Sequence, residues 1–452
     1  MKKVFIALLA IFMISIFAAS AQQDDEQVVT LTVEQAVDYA MENSRDLKSN
    51  DIALLISERA KKYSWNVFLP DVQASFTAAR TTDLDSSLGS VNMGRALQSL
   101  PPLDKKEKYH WILSPNIAAS LNLYLAQIKS IQQAKTEYEG GQITWEQGQK
   151  QILIGIKKLF YGLLLQQEDL NIRRRSLENA RQRANQAQIN FNNGRIPQLQ
   201  LLNAQVTYEN QRPEVESAEQ SFNQQLDTFA VLIGIPVGTK IELSGSIEPE
   251  YVNVVTEELL EKFGENNLEV RSAQNEIEVK KLQLSALNLS SYTPILSIGY
   301  NFNPTGTFLP DLAWTDQGRL TFTLLFNITN MLPWSTNRQQ AQALKDGISA
   351  SELQLEKKRE EQKANVRKAV DTLNQAREQI DSMGRTVELA QRSYDMSVSS
   401  YNNGRMELLD VRDAQTQLNQ AMLGQLNQKF NYISALMDLE YELNSDLSEY
   451  KE

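Results

Sequence analysis

One long pattern occurs twice in this chain, and that repetition limits the fold more than any single motif. FNNGRIPQLQLLNAQ at residues 191–205 returns as YNNGRMELLDVRDAQ at 401–415, a displacement of 210 positions that keeps seven of fifteen residues. Glu42-Asn43 recurs as Glu265-Asn266, and Pro70 as Pro294. The period is too long for a short solenoid repeat, so it marks an internal duplication whose halves each contain several elements. The expected division is a leader at 1–21, a first repeat at 22–240 and a second at 241–452.

The leader reads as a secretory signal. Lys2 and Lys3 form a basic start, Val4 to Phe17 an apolar run, and Ala19-Ser20-Ala21 a small-residue cleavage pattern. The run is shorter than the ~20 residues of a spanning helix. No other stretch could span a bilayer as a helix, so later membrane contact must use strands. Removing Lys2 and Lys3 from 45 basic residues, against 56 acidic, leaves a net charge of about 13 negative, which argues against nucleic-acid binding. The chain has no cysteine, which excludes disulfides, thiolate metal sites and cysteine nucleophiles. Export without cysteine fits a bacterial envelope protein.

Two stretches, about 127–193 and 336–403, read as single helices of ~100 Å at 1.5 Å per residue. Ala180, Ala184, Ala187 and Phe191 keep a 3-4 spacing in the first; Val387, Ala390, Tyr394, Val398 and Tyr401 do so in the second. A seam this narrow and alanine-rich suits helices packed side by side along their length. Each run ends at Asn-Asn-Gly-Arg, where glycine accepts the left-handed conformation of a helix C-terminus. Periodicity then resumes, so hairpins are expected over about 127–234 and 336–443. Gly140, Gly141 and Gly148 are expected to kink the first long helix, and Pro213 to bend its return.

Four segments alternate instead with period two: about 70–80, 115–126, 294–303 and 319–329. Their apolar parities are Val72, Ala74, Phe76, Ala78; Ile117, Ala119, Leu121, Leu123, Leu125; Leu296, Ile298, Tyr300, Phe302; and Leu320, Phe322, Leu324, Phe326, Ile328. This is the weak signature of transmembrane β-strands, and equally of an antiparallel sheet with one wet face. Trp65 and Trp334 flank the strands on one side, Trp111 and Trp314 on the other, as interfacial aromatic belts would. Four strands cannot close a barrel and open edges are not tolerated in lipid, so several copies must share one.

The duplicated halves, the start LTVEQAVDYAMENSRDL at 31–47, the strands preceded by Pro70 and Pro294, and the NNGR tips together resemble the TolC-like outer membrane efflux proteins. The resemblance covers nearly all of the mature chain. It implies an α+β membrane protein in which a homotrimer forms a twelve-stranded β-barrel, four strands per protomer, continued by a long periplasmic α-helical barrel. It places the chain in the outer membrane of a diderm bacterium as the exit duct of a tripartite efflux or type I secretion system. A periplasmic adaptor and an inner-membrane RND or ABC transporter would be its partners, with outer membrane lipid around it. Two aspartates lining the family's constriction match Asp410 and Asp413, three residues apart on one helix face. The corresponding residues of the first repeat are Gln200 and Asn203. A gating tyrosine matches Tyr401, but its acidic partner matches Gln200, and Met406 stands where a gating arginine would fall. Gly194-Arg195 and Gly404-Arg405 match the tips that adaptors engage.

Nothing points to an enzyme, a cofactor or a metal. His110 is the only histidine, between Tyr109 and Trp111, and reads as a satisfied surface residue. There is no phosphate-binding loop and no metal-ligand cluster. The competing reading is a periplasmic coiled-coil scaffold or adaptor without its own pore.

Overall fold

The duplication fixes the helix boundaries to the residue. The structure is a computed structural model that describes residues 29–309, 311–315, 318–403 and 405–451. The expected leader and Gly404 lie outside the described residues. In chain order the first half contains β1 (Val29–Leu31), α1 (Val33–Asn43), α2 (Arg45–Lys62), β2 (Asp71–Arg80), α3 (Asp85–Leu97), β3 (Trp111–Leu123), α4 (Ala126–Asn192), α5 (Gln198–Ile233) and β4 (Ile241–Leu243). The second half contains α6 (Thr256–Phe263), α7 (Leu268–Tyr292), β5 (Ile295–Phe302), β6 (Thr305–Thr307), β7 (Ala313–Thr315), β8 (Gly318–Leu325), α8 (Ile328–Met331), α9 (Thr336–Asn402) and α10 (Leu408–Leu443). Helices α4 and α9 each have 67 residues and α5 and α10 each have 36, so all four boundaries recur 210 positions later.

Even the caps correspond. Gly234 ends α5 at φ 87°, and Asn444, 210 positions on, ends α10 at φ 50°, both in the left-handed region. A Cβ on Gly234 would lie 2.5 Å from the Asn43 carbonyl oxygen, so the first half requires glycine there. Asn444 tolerates the conformation and uses its side chain, Nδ2 donating to Glu146 Oε1 at 3.1 Å.

The chain divides into two compact units. The first joins the chain up to Ile52 with Trp145–Leu268 and Glu360 onward. Two clusters of buried residues form its core, the first including Ile433 of the second hairpin. Ile156, Phe160 and Leu163 of α4 meet Phe229, Ala230 and Ile233 of α5 beneath Leu31, Ala36, Ala40, Ile241 and Leu243. Strands β1 and β4 pair in parallel there. In the second half, Val366, Val370, Leu373, Ala376 and Ile380 of α9 pack on Tyr432, Ala435, Leu439 and Leu443 of α10, around Val252 and Leu259. The buried Tyr432 hydroxyl accepts the Val252 N–H at 2.9 Å, so neither group is orphaned.

Helix α4 is unbroken through the glycines expected to kink it. These glycines also allow close approach. A Cβ on Gly141 would meet Ser57 Oγ at 2.8 Å, and one on Gly148 would meet Asn50 Nδ2 at 2.7 Å. Pro213 likewise sits inside an uninterrupted α5.

The second unit, Ala53–Thr144 with Glu269–Arg359, carries the sheet. Its long strands run in the order β2-β3-β5-β8, every pair antiparallel, with the small β6–β7 hairpin added beside the start of β3. Two expected strands need correction. Strand β3 begins at Trp111, before the expected 115, because Pro115 reads as a breaker yet is accommodated opposite Phe76. Strand β8 stops at Leu325; the alternation through Phe326 and Ile328 continues in sequence, but the chain turns into helix α8. Both a strand and a short helix can hold such a run, so periodicity cannot locate the stop.

Candidate functional site

Two places in the molecule are candidates for functional chemistry: the faces of the sheet in the second unit and the hairpin tips in the first.

Register decides what the sheet presents. Val72 pairs with Ala119, Ala119 with Tyr300 and Tyr300 with Leu320; Leu121 pairs with Ile298 and Ile298 with Phe322; Leu123 pairs with Leu296 and Leu296 with Leu324. Directly paired residues share a face, so all four apolar parities lie on one side. The other side takes Gln73, Ala118, Asn301 and Arg319 in one row and Ser120, Gly299 and Thr321 in the next. The apolar side is uncovered, with Phe322 68%, Phe76 66% and Val72 62% exposed. A soluble monomer does not normally expose a contiguous apolar sheet. Of the four long strands, β2 and β8 each pair on one side only, leaving two unpaired long edges among the described residues, besides that of the short β7.

The tryptophans bracket this sheet. Trp65 precedes the start of β2 and Trp334 follows the end of β8, which lie at one end of the sheet by register. Trp111 opens β3 opposite Arg80, and Trp314 lies in β7 opposite Gly306, at the other end. Both are within strands, not in loops before them. All four are at least partly exposed. His110 is held by Thr81, whose carbonyl oxygen can only accept, so Nδ1 carries the proton.

At the first tip, Gly194 adopts φ 69° and the Arg195 N–H donates to the Asn190 carbonyl at 2.8 Å. The Arg405 N–H donates to the Ser400 carbonyl at 2.9 Å, the same six-residue closure 210 positions on. Both arginines are exposed, and among the described residues neither guanidinium has a hydrogen-bond or ion-pair partner. Beyond the second tip, Asp410 and Asp413 are exposed on α10, while Val411, Ala414, Gln415 and Leu418 are buried. Asp410 also acts locally, since its Oδ2 accepts the Glu407 N–H at 3.3 Å and completes a capping box. Asp413 lies 3.6 Å from Arg412 Nη2, an exposed pair worth little.

Tyr401 is half-buried, and among the described residues no hydrogen bond joins it to Gln200, which is exposed. The hairpins are connected by a residue that the motifs did not point to. Arg183 of α4 donates through Nη2 to the buried Gln415 Oε1 of α10 and through Nε to the Asn179 carbonyl at 3.1 Å. Burial lowers the Arg183 pKa from its ordinary value, an effect partly opposed by Tyr394 and Tyr401. Leu408 adds an apolar contact, packing with Ala184, Ala187, Leu201 and Ala204. Gln415 occupies one of the seven repeated positions, matching Gln205, but nothing in the sequence pairs it with Arg183.

Residues 259–444, within the second repeat, match the family model of outer membrane efflux proteins. The second half of the chain is therefore similar to that family. It is 22% identical over 61% of its length to nodulation protein T of Rhizobium leguminosarum bv. trifolii, and 22% identical over 67% to outer membrane protein TolC of Escherichia coli K12. These matches span 58% and 63% of the two relatives, so the chain covers less than two thirds of either. The Campylobacter jejuni CmeC outer membrane channel has the same fold, with a TM-score of 0.72 at 15% identity over 92% of this chain and 88% of that one. The TolC relative and the CmeC neighbour are both described as outer membrane proteins. Among the described residues no helix is long and apolar enough to cross a membrane, and no acid or histidine cluster could hold a metal.

Proposed function

We propose that the protein is the outer-membrane exit duct of a tripartite efflux or type I secretion system, working as a homotrimer with a periplasmic adaptor and an inner-membrane RND or ABC transporter. The observation that carries this reading is the sheet with one exposed apolar face, one polar face and two open edges. In lipid such edges must be closed, and the edge β2 of one copy can meet the edge β8 of the next. A periplasmic scaffold without a pore leaves the apolar face without a purpose. Fractionation tests the choice: the duct stays in the outer membrane fraction and yields a detergent-dependent, heat-modifiable oligomer. Extraction by salt or carbonate would favour the scaffold. Nothing in this reading calls for catalysis.

The tips are the proposed adaptor-docking ends, because Arg195 and Arg405 are exposed and free. Changing both to glutamate is expected to abolish export in a susceptibility or secretion assay while membrane oligomers persist, since the caps use backbone groups. Normal export by that double variant would remove the docking role.

Closure of the duct is assigned to Arg183 and Gln415. A hydrogen bond to a charged group is worth about 1.5–3 kcal/mol, so Arg183→Met should shift an open–closed balance roughly tenfold or more toward open. Gln415→Glu supplies an ionised acceptor and should act in the opposite sense. Single-channel conductance in planar bilayers reads both, and equal conductance in the two variants contradicts the assignment.

A further inference from the structure

We infer that a cationic collar, where the strands of the second unit pass into its helices, binds the headgroups of anionic phospholipid in the leaflet at that end of the sheet. By register the start of β2, the end of β3, the start of β5 and the end of β8 lie at one end. The chain crosses this level at 59–70, 124–132, 286–294 and 326–340. These stretches contain Arg59, Lys61, Lys62, Lys129 and Arg338 and no Asp or Glu, in a chain with 56 acidic residues against 45 basic. Charge of one sign is concentrated here against the balance of the whole molecule. At the opposite end acids are interspersed, and Arg80, Lys105 and Lys108 meet Glu107, Asp85 and Asp311.

Helix stability accounts for only part of the collar. Lys61 and Lys62 stand in the last turn of α2, where the helix dipole favours cations. Lys129 and Arg338 stand in the first turns of α4 and α9, where the dipole opposes them and no acid compensates. None of these four meets a carboxylate among the described residues. Lys61 Nζ lies 4.3 Å from the centre of the Tyr138 ring and Lys62 Nζ 5.6 Å from that of Tyr63. Lys129 Nζ donates to Gln132 Oε1 at 2.8 Å, and Arg338 Nη1 to Tyr292 Oη at 3.3 Å.

The surface around the collar is apolar and fixed. Trp65, Leu125, Ile128 and Trp334 are each at least half exposed, and each of the four cations lies within four residues of one of them. The turn Ser64–Phe68, which carries Trp65, is pinned to the start of α4 by the buried Gln127, whose Nε2 donates to the Val67 and Asn122 carbonyls, each at 2.8 Å. Asn337 Nδ2 donates to Ser291 Oγ at 3.0 Å and holds α9 beside the end of α7. Such preorganisation lowers the ordering cost of binding. The inference rests on the duct reading, which puts the apolar face in lipid. An apolar face, then tryptophan, then uncompensated cations is the order in which a leaflet presents tails, interface and phosphate. A zwitterionic headgroup leaves the collar's net charge standing, whereas an anionic one offsets it.

The test reconstitutes the full-length oligomer in phosphatidylcholine vesicles with a trace of spin-labelled phosphatidylglycerol or phosphatidylcholine, and the immobilised fraction of each label gives the preference. Phosphatidylglycerol is expected to be favoured about fivefold, the effect of one lysine or arginine near an anionic surface. Lys129→Gln combined with Arg338→Gln should reduce the ratio to about twofold or less, while Lys105→Gln combined with Lys106→Gln, at the other end, leaves it unchanged. Raising the salt to about 1 M, where the screening length falls to about 3 Å, should abolish the preference of the unmodified protein, a reading that needs no variant to fold. No preference in the unmodified oligomer, a preference that survives the salt or the collar variant, or an equal loss in the outer variant overturns the inference and leaves the duct standing. Failure of the unmodified chain to form an oligomer that inserts removes the duct reading and the inference with it.

Discussion

Phe322→Lys is expected to abolish the heat-modifiable oligomer in the outer membrane fraction, while Thr323→Lys, one residue further, leaves it in place. Phe322 pairs with Ile298 on the apolar side of the sheet, and Thr323 pairs with Ser297 on the polar side. Both are exposed, so neither change disrupts a core in the single chain. In a soluble one-sided sheet the two lysines would be equally harmless. In a membrane barrel they differ, because lysine facing lipid near the bilayer midplane costs about 2–4 kcal/mol, and the cost recurs in every copy. Facing a polar lumen, the same lysine stays hydrated. The measurement is the oligomer band with and without heating, from outer membrane and from soluble fractions. Equal oligomer yields for the two variants would mean that the apolar face does not meet lipid. Loss of both would mean that the sheet tolerates no charge on either side.

That contrast depends on a register the sequence already implies. Each strand declares its apolar parity, and the pairing of Val72, Ala119, Tyr300 and Leu320 puts the four parities on one face. The hairpins are legible for a related reason: a 210-residue repeat fixes equivalent boundaries twice, and their ends at Ile233 and Leu443 agree. What stays hidden needs contacts between segments distant in sequence. Pro115 conceals the first part of β3, since a missing backbone donor is a local fact and its tolerance is a matter of the neighbouring strand. The glycines of α4 read as helix breakers, but their meaning lies in Ser57 and Asn50, about ninety residues away. Helix α3 has no clear signal of its own, because its small core draws on Phe308 and Leu309 from the other half.

The tips divide the same way. Their Asn-Asn-Gly-Arg turns are legible as helix ends, since a C-terminal cap is a local motif. The bridge from Arg183 to Gln415 is not, because it joins residues 232 positions apart. Gln200, matched by resemblance to a contact of Tyr401, is exposed, while Tyr401 lies near Arg183. Under the proposed closure, Arg183 would stand in for the arginine that the tip lacks at Met406, at a position no linear motif marks.

Changing Asp410 and Asp413 together to asparagine is expected to weaken cation selectivity and block by multivalent cations without loss of the oligomer. Asp410 has two readings, a helix-start acid and a pore acid, and asparagine separates them. Its side-chain oxygen can still accept the Glu407 N–H that Asp410 Oδ2 receives at 3.3 Å, so the capping box loses charge but keeps its acceptor. Asp413 loses only an exposed 3.6 Å pair with Arg412, worth less than about 1 kcal/mol. The change therefore alters the field and leaves the helix. If three copies bring these carboxylates to the constriction, a multivalent cation loses several attractions at once, each worth about 1 kcal/mol at 4 Å even in bulk water, and block should weaken tenfold or more. Reversal potentials in salt gradients and titration with a trivalent cation read both effects in planar bilayers. Unchanged selectivity and block would leave Asp410 as a cap and Asp413 as a solvated acid, and would move the constriction elsewhere on the exposed side of α10.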